Sequence, residues 1–326
     1  MVRGLKDRLT AAGYAFGWAA VRRLPESLAA AAFRQVADIA WRRQGPRVRM
    51  LECNLRRVLG ADAAAAELRA LSRQAMRSYA RYWLEIFRLP VIPPERLVGD
   101  MVESGHVDEL LGNLAAGRGV VIALPHMGNW DQAGAWVVGR GAGSFTTVME
   151  RLEPQSVYDR FVAFRQGLGM EVLPASGGAS RPYGVLAQRL RAGKLVALPS
   201  DRDVAGGGDE VDFFGEKALM MSGPAALAVQ TGAALMAVTL WFEGPRWGVH
   251  IYPEIPVPAE GDRRQKAAAM AQAVARHFEH GIRAHPQDWH MLQPVFLADL
   301  DPQRLAAARS RAKARDRGSD SLAGGS

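Results

Sequence analysis

From about residue 118 the chain alternates short apolar runs with longer stretches of helical spacing, and this alternation constrains the fold more than any other feature. The runs cover residues 119–124, 145–149, 194–199, 235–242 and 248–257. Each has the length of one buried strand, and intervening helices let successive strands lie parallel. The pattern predicts an α/β fold: a central mixed or mostly parallel sheet flanked by helices. Residues 264–284 read as a late helix. In the uncharged stretch 218–242, Pro224 suits a first helical turn and Gly232 the position just past a helix end. The prediction there is a short helix near 224–231 and a buried strand near 234–242.

The first 90 residues have a different texture, rich in Ala, Leu and Arg with helical spacing throughout. Leu51, Leu55, Val58 and Leu59 form one stripe, and Leu71, Met76, Tyr79 and Tyr82 another, until Pro90, Pro93 and Pro94 break the pattern. The organisation expected is a helical N-terminal region over 1–95, an α/β domain over 96–302, and a basic, partly disordered tail over 303–326.

Charge is uneven. The chain carries +8 overall. Residues 1–50 hold ten Lys/Arg against three Asp/Glu, and residues 301–326 hold six against three. The intervening part is slightly acidic, so the basic character belongs to the ends and suits an anionic surface. The uncharged run 9–21 is thirteen residues long, short of the ~20 that cross a bilayer. Leu5, Leu9, Ala12, Phe16 and Ala20 share one helical stripe, with Tyr14 and Trp18 beside it and Lys6, Arg22 and Arg23 flanking it. Two readings stand equal: an interfacial helix on a membrane, or a helix packed on the core.

Only one cysteine occurs, Cys53, which excludes an internal disulfide framework and a multi-cysteine zinc site. It lies in an Ala/Leu/Arg helical context and reads as a packing position. His277, His280, His285 and His290 lack the partners of a metal motif, so no metal is expected. The glycine-rich stretch 139–143 precedes a strand, whereas a dinucleotide fingerprint follows one, and it reads as a turn.

The chemistry concentrates after the run 119–124. In open α/β sheets, ligands gather beyond the carboxyl ends of strands, and His126 sits at such an end with Asp131 five residues on. A turn through Gly128 would fold the carboxylate back onto the imidazole, hold Nδ1–H, and leave Nε2 as a general base for an alcohol attacking a carbonyl. Taken alone the spacing is common, and a buried structural histidine is the competing reading. Asp201-Arg202-Asp203 ends another strand, with a surface ion network as its competing reading, and Arg165 equally fits a solvated helix face.

The segment His126-Met-Gly-Asn-Trp-Asp131 resembles the first signature block of the glycerolipid and lipid A acyltransferases. Further blocks agree: Glu150 at a strand end, Arg165 on the next helix, Leu198-Pro-Ser-Asp201-Arg202-Asp203, Phe213-Phe214-Gly215 before Met220-Met-Ser-Gly223-Pro224-Ala225, and Asp288-Trp-His-Met-Leu-Gln293. Together they resemble the lipid A lauroyl-acyltransferase-type superfamily, and within it the phosphatidylinositol mannoside acyltransferase branch. The resemblance implies a glycerolipid acyltransferase-like fold and a peripheral enzyme at the cytoplasmic face of the plasma membrane. It implies transfer of a fatty acyl chain, palmitoyl in this picture, from acyl-CoA to a mannose hydroxyl of a phosphatidylinositol mannoside. The implied partners are acyl-CoA, a glycolipid acceptor and an anionic membrane surface, with no nucleic acid. No cofactor is called for, since acyl-CoA is a substrate.

In that picture His126 deprotonates the sugar hydroxyl, Asp131 orients the imidazole, and Asp201 supports the histidine or fixes the acceptor. Glu150 and Arg165 pair to shape the site, with Arg165 reaching the donor's polar part. Arg202 and the 206–208 glycines meet pantetheine or phosphate. A glycerol phosphate, lysophospholipid or lipid A-type acceptor is the alternative. Another class stays open: a non-enzymatic basic protein binding membrane or nucleic acid through its ends.

Overall fold

The strand Val120–Leu124 (β2) is buried at every residue, as expected of an unbroken apolar run covered on both faces. It lies at the centre of a computed structural model that describes residues 17–18, 21–151, 153–175, 182–203, 208–303, 306 and 310. All five residues of the N-terminal stripe, two of the 206–208 glycines and most of the tail lie outside the described residues.

Around β2 the sheet is completed by β1 (Met101–Gly105), β3 (Phe145–Met149), β4 (Met170–Pro174), β5 (Leu195–Pro199), β8 (Ala234–Glu243) and β9 (Arg246–Ile251), in the order β1-β9-β8-β2-β5-β3-β4. Every neighbouring pair is parallel except the hairpin pair β8–β9. The sheet is therefore mixed and mostly parallel, as predicted. A separate antiparallel hairpin joins β6 (Asp209–Phe213) to β7 (Glu216–Met220).

Helices follow from local signals. Three pack in the N-terminal part: α1 (Glu26–Arg42), α2 (Pro46–Leu59) and α3 (Ala65–Arg88). Pro46 opens α2 at its first turn and Gly60, at φ 95°, stops it. The buried Asp38 carboxylate on α1 accepts from both Arg73 and Arg77 of α3 at 2.7–3.0 Å. Two bidentate guanidinium contacts on one carboxylate fix the helix pair and hold its carboxyl well below the usual carboxylate range. Then come α4 (Pro94–Gly99), α5 (Val107–Ala115), α6 (Trp130–Val137), α7 (Gln155–Gly167), α8 (Pro182–Arg191), α9 (Gly223–Thr231) and α10 (Arg263–Ala284). Gly232 ends α9 in the left-handed region at φ 75°, where glycine pays no steric penalty. A full capping box of Asp262 and Gln265 starts α10.

The sheet separates two apolar cores. On one face Ile122, Leu124, Trp136, Phe145 and Met236 pack with α5 and α6. On the other, Val121, Leu186, Leu227 and Phe278 pack with α8, α9 and α10. Gly281 lets α10 approach β8 closely, since a Cβ there would lie 2.4 Å from the Thr239 hydroxyl.

Two expectations shift. The run 248–257 keeps strand geometry only to Ile251, with Pro253 and Pro256 beyond it; proline cannot donate to a ladder. Cys53 is exposed on α2, not packed. The glycine-rich 139–143 stretch forms a wide turn ahead of β3, with Gly141 and Gly143 at positive φ.

Candidate active site

Because β2 and β5 are adjacent and parallel with Leu124 opposite Pro199, they end side by side. The Ser200 N–H donates to the Leu124 carbonyl at 2.9 Å and carries the pairing one step further. The next residues on each strand are His126 and Asp201. The His126 ring Nδ1 lies 2.6 Å from Asp201 Oδ1, and the His126 backbone N–H donates to Oδ2 at 2.9 Å. The indole N–H of Trp289 donates to the same Oδ2 at 2.9 Å. Burial alone would push the Asp201 carboxyl up, but the adjacent imidazole and these three N–H groups carry it below its ordinary value. Asp201 is thus a carboxylate that only accepts. Nδ1 therefore carries the proton, and Nε2 presents a lone pair.

The pairing of His126 with Asp131 is corrected. Asp131 is buried in the first turn of α6, and its oxygens are taken by Arg165 Nε at 2.6 Å, Arg165 Nη2 at 3.1 Å and the Tyr82 hydroxyl at 3.1 Å. The turn explains the outcome. Gly128 adopts φ 58°, and a Cβ there would lie 2.8 Å from the Leu240 backbone. Met127 bridges to Trp289, and Asn129 caps α6 by accepting from the Gln132 N–H at 3.0 Å. This tight path aims Asp131 toward α3 and α7, away from the imidazole's Nδ1. Burial would lower the Arg165 guanidinium, yet the Asp131 charge beside it leaves it raised and permanently cationic.

The pairing of Glu150 with Arg165 is also corrected. Arg165 belongs to Asp131, whereas Glu150, half-exposed at the end of β3, meets Arg202 at 3.4 Å. Arg202 also contacts the Gln293 side chain. These groups form the rim of a cleft lined by His126, Trp130, Arg165, Arg202 and His290.

A second, largely apolar cavity lies on the α6 face of the sheet. Its walls come from β3, β5, β2, β8 and β9 in their spatial order, through Thr147, Ala197, Ile122, Val238 and Val249. Trp130 and Arg165 line both this cavity and the cleft. The Trp130 ring meets His126 edge-on at 5.6 Å. Trp130 is thus shared by the apolar cavity and the cleft that holds the imidazole.

Several contributors escaped the sequence reading. Trp289 braces Asp201, Tyr82 braces Asp131, and Trp130 lines both the cavity and the cleft. The last lay inside the recognised block, but nothing in its spacing marks a wall residue. Other histidines have packing partners: Tyr252 stacks with His277 at 4.4 Å and shares a 2.9 Å hydrogen bond with His280, and His285 stacks on Trp241 at 4.6 Å.

A strand-end His–Asp pair with an apolar cavity nearby fits the chemistry of acyl transfer. The family model for bacterial lipid A biosynthesis acyltransferases matches residues 5–298, and the chain belongs to that family. It is an acyltransferase. Among curated relatives, it is 50% identical over 299 residues to the phosphatidylinositol mannoside acyltransferase of Mycobacterium tuberculosis, covering 91% of this chain and 92% of that protein. The enzyme of the same name from Mycolicibacterium smegmatis is 47% identical over 302 residues, covering 93% and 96%. Among the described residues, no helix is long and apolar enough to cross a membrane.

The Asp131–Arg165 pair generates a testable expectation. Asp131→Ala strands a buried guanidinium and lowers unfolding stability by about 3–5 kcal/mol, whereas adding Arg165→Met recovers most of the loss. Urea unfolding of the single and double variants checks this; equal stability of wild type and Asp131→Ala contradicts it.

Proposed function

We propose that the protein transfers a fatty acyl chain, palmitoyl in this reading, from acyl-CoA to a mannose hydroxyl of a phosphatidylinositol mannoside at a membrane surface. The observation that carries the reading is that the apolar cavity and the cleft beside His126 share Trp130 and Arg165 as walls, and we place the reacting junction there. A thioester whose chain fills the cavity has its carbonyl at that junction, and a hydroxyl in the cleft reaches it from the imidazole side.

The chemistry then needs no covalent enzyme intermediate. His126 Nε2 takes the hydroxyl proton as the oxygen attacks the thioester carbonyl. Asp201 holds Nδ1–H and stabilises the imidazolium that forms. The tetrahedral intermediate collapses by breaking the C–S bond, and the imidazolium returns its proton to the departing thiolate. The buried, cationic Arg165 lies at the same junction and favours the developing negative charge. Its anchor is Asp131, which acts through Arg165 as a positioning residue.

The apolar cavity is walled by side chains from five neighbouring strands, a surface suited to an acyl chain. At the cleft, Tyr79 and Trp83 offer aromatic faces and Arg47 and Arg202 positive charge, a combination suited to a sugar bearing a phosphodiester. The relatives' printed names point to the same acceptor.

Membrane attachment has its own support. On α1, Leu28 is 59% exposed and Val36 64%, with Ile39 on the same face and Leu24 just before the helix. Arg23, Arg34, Arg42 and Arg43 are exposed around them. Apolar side chains ringed by arginines suit an anionic bilayer interface.

His126→Ala is expected to abolish release of CoA coupled to lipid acylation, and Asp201→Asn to slow it about 10²–10⁴-fold, the usual worth of general-base catalysis. Wild-type turnover in His126→Ala contradicts the mechanism. Ala197→Phe, which fills part of the cavity, is expected to shift donor preference from palmitoyl-CoA toward short-chain acyl-CoA; an unchanged chain-length profile argues that the chain lies elsewhere. Leu28→Glu with Val36→Glu is expected to reduce co-sedimentation with anionic vesicles while leaving stability within about 0.5 kcal/mol, as exposed substitutions do. Unchanged sedimentation counts against α1 as the contact.

A further inference from the structure

A second imidazole faces the cleft, and its placement follows from pairing of the same kind that builds the dyad. The Met127–Trp289 bridge is antiparallel. The Gly128 N–H donates to the Asp288 carbonyl at 2.9 Å, and the His290 N–H donates to the His126 carbonyl at 2.8 Å. His290 is therefore the cross-strand partner of His126. Side chains directly opposite in such a pair share one face, with Cβ atoms about 4.5–5.5 Å apart. Both histidines line the cleft.

His290 is only 6% exposed. Its Nε2 lies 2.8 Å from the Ser78 hydroxyl, which lies 2.6 Å from Asp288 Oδ1. The other Asp288 oxygen accepts from the Phe242 N–H at 3.1 Å and Gln287 at 3.3 Å. Both Asp288 oxygens thus face donors, Oδ1 the Ser78 hydroxyl and Oδ2 two N–H groups, and the carboxyl accepts at each. The single Ser78 proton must then point at Asp288, and the Ser78 oxygen must accept Nε2–H from His290. That order of donation leaves a lone pair on His290 Nδ1. Nδ1 is buried and has no hydrogen-bond partner among the described residues.

A buried acceptor left unpaired is costly, and here it belongs to a ring opposite the proposed base. Burial also holds the His290 imidazole down to about 3, so it is neutral and a poor base. It can accept a hydrogen bond without competing for the proton that His126 removes.

We infer that His290 is a positioning residue for the acyl acceptor: its Nδ1 accepts a hydrogen bond from a sugar hydroxyl neighbouring the one attacked. Asp288 and Ser78 fix the tautomer that makes this possible. The inference rests on the reading of the acceptor as a sugar. It explains how a cleft selects one hydroxyl among several, since an acceptor sugar lacking the neighbouring hydroxyl leaves Nδ1 unsatisfied.

The test is steady-state kinetics with both substrates varied. His290→Phe keeps a ring and removes Nδ1; His290→Asn keeps an oxygen acceptor near the Nδ1 position. His290→Phe is expected to raise the acceptor KM about tenfold, as losing one buried hydrogen bond does, with the acyl-CoA KM within about twofold. His290→Asn is expected to recover most of that loss. An acceptor deoxygenated beside the reactive hydroxyl is expected to bind wild type about tenfold more weakly and His290→Phe no more weakly than the parent sugar. An unchanged acceptor KM overturns the inference. A rise confined to the acyl-CoA KM also overturns it, assigning Nδ1 to the pantetheine amides. Should His290→Phe fail to fold, Ser78→Ala releases the tautomer, and the same acceptor-specific rise is expected; its absence overturns the inference. Failure of the sugar reading is seen separately, as wild-type enzyme that acylates another hydroxyl acceptor but no mannoside.

Discussion

One buried carboxylate organises the site. Asp201 receives the ring Nδ1–H and the backbone N–H of His126 and the indole N–H of Trp289. Three donors on two oxygens remove the carboxylate's freedom to rotate and keep it charged despite complete burial. It is reached from two directions: from β2 through His126, and from the strand-like segment after α10 through Trp289. The loop after β2, the loop after β5 and the 288–290 segment are thereby fixed with respect to one another. The neighbouring cleft and cavity inherit their shape from that junction.

Two of the buried carboxylates at the site, Asp201 and Asp131, have separate duties. Asp201 sits beside the imidazole and sets its tautomer. Asp131 sits beside a guanidinium and makes a buried positive charge tolerable in the wall of an apolar cavity. A guanidinium without Asp131 would be an uncompensated charge in a low-dielectric setting. The five-residue separation of His126 and Asp131 thus encodes the two termini of one turn: an imidazole on the strand side and a cation's anchor on the helix side. Trp130, between them in sequence, lines both the cavity and the cleft.

The architecture was largely legible before any coordinates. Strands buried on both faces, such as β2 and β8, print themselves as unbroken apolar runs, and Pro224 and Gly232 bracketed α9 correctly. The edge strands β1 and β4 were missed because half-solvated edges carry polar residues such as Glu103 and Glu171, and the β6–β7 hairpin lies outside the main sheet. At the site, the strand end marks His126; the spacing favours Asp131 as its partner with Asp201 a second candidate, and the structure gives Asp201 that place. Sequence proximity favours Asp131; spatial proximity depends on which strand neighbours β2. That β5 is this neighbour is a property of topology, and no local pattern near residue 126 carries it. The roles of Trp289, which lies in the quoted late block, and of Ser78 carry no local signal for the same reason, since each acts across more than eighty residues of chain.

The central claim is that Asp201 holds the His126 imidazole with Nδ1 protonated and Nε2 bare. Nitrogen-15 NMR of histidine-labelled protein at neutral pH reports this directly, because protonated and bare ring nitrogens resonate far apart. The account predicts a single Nδ1–H tautomer for His126 in the wild type, lost or mixed with the other in Asp201→Asn. A His126 ring protonated at Nε2, or one whose tautomer ignores Asp201→Asn, would contradict it.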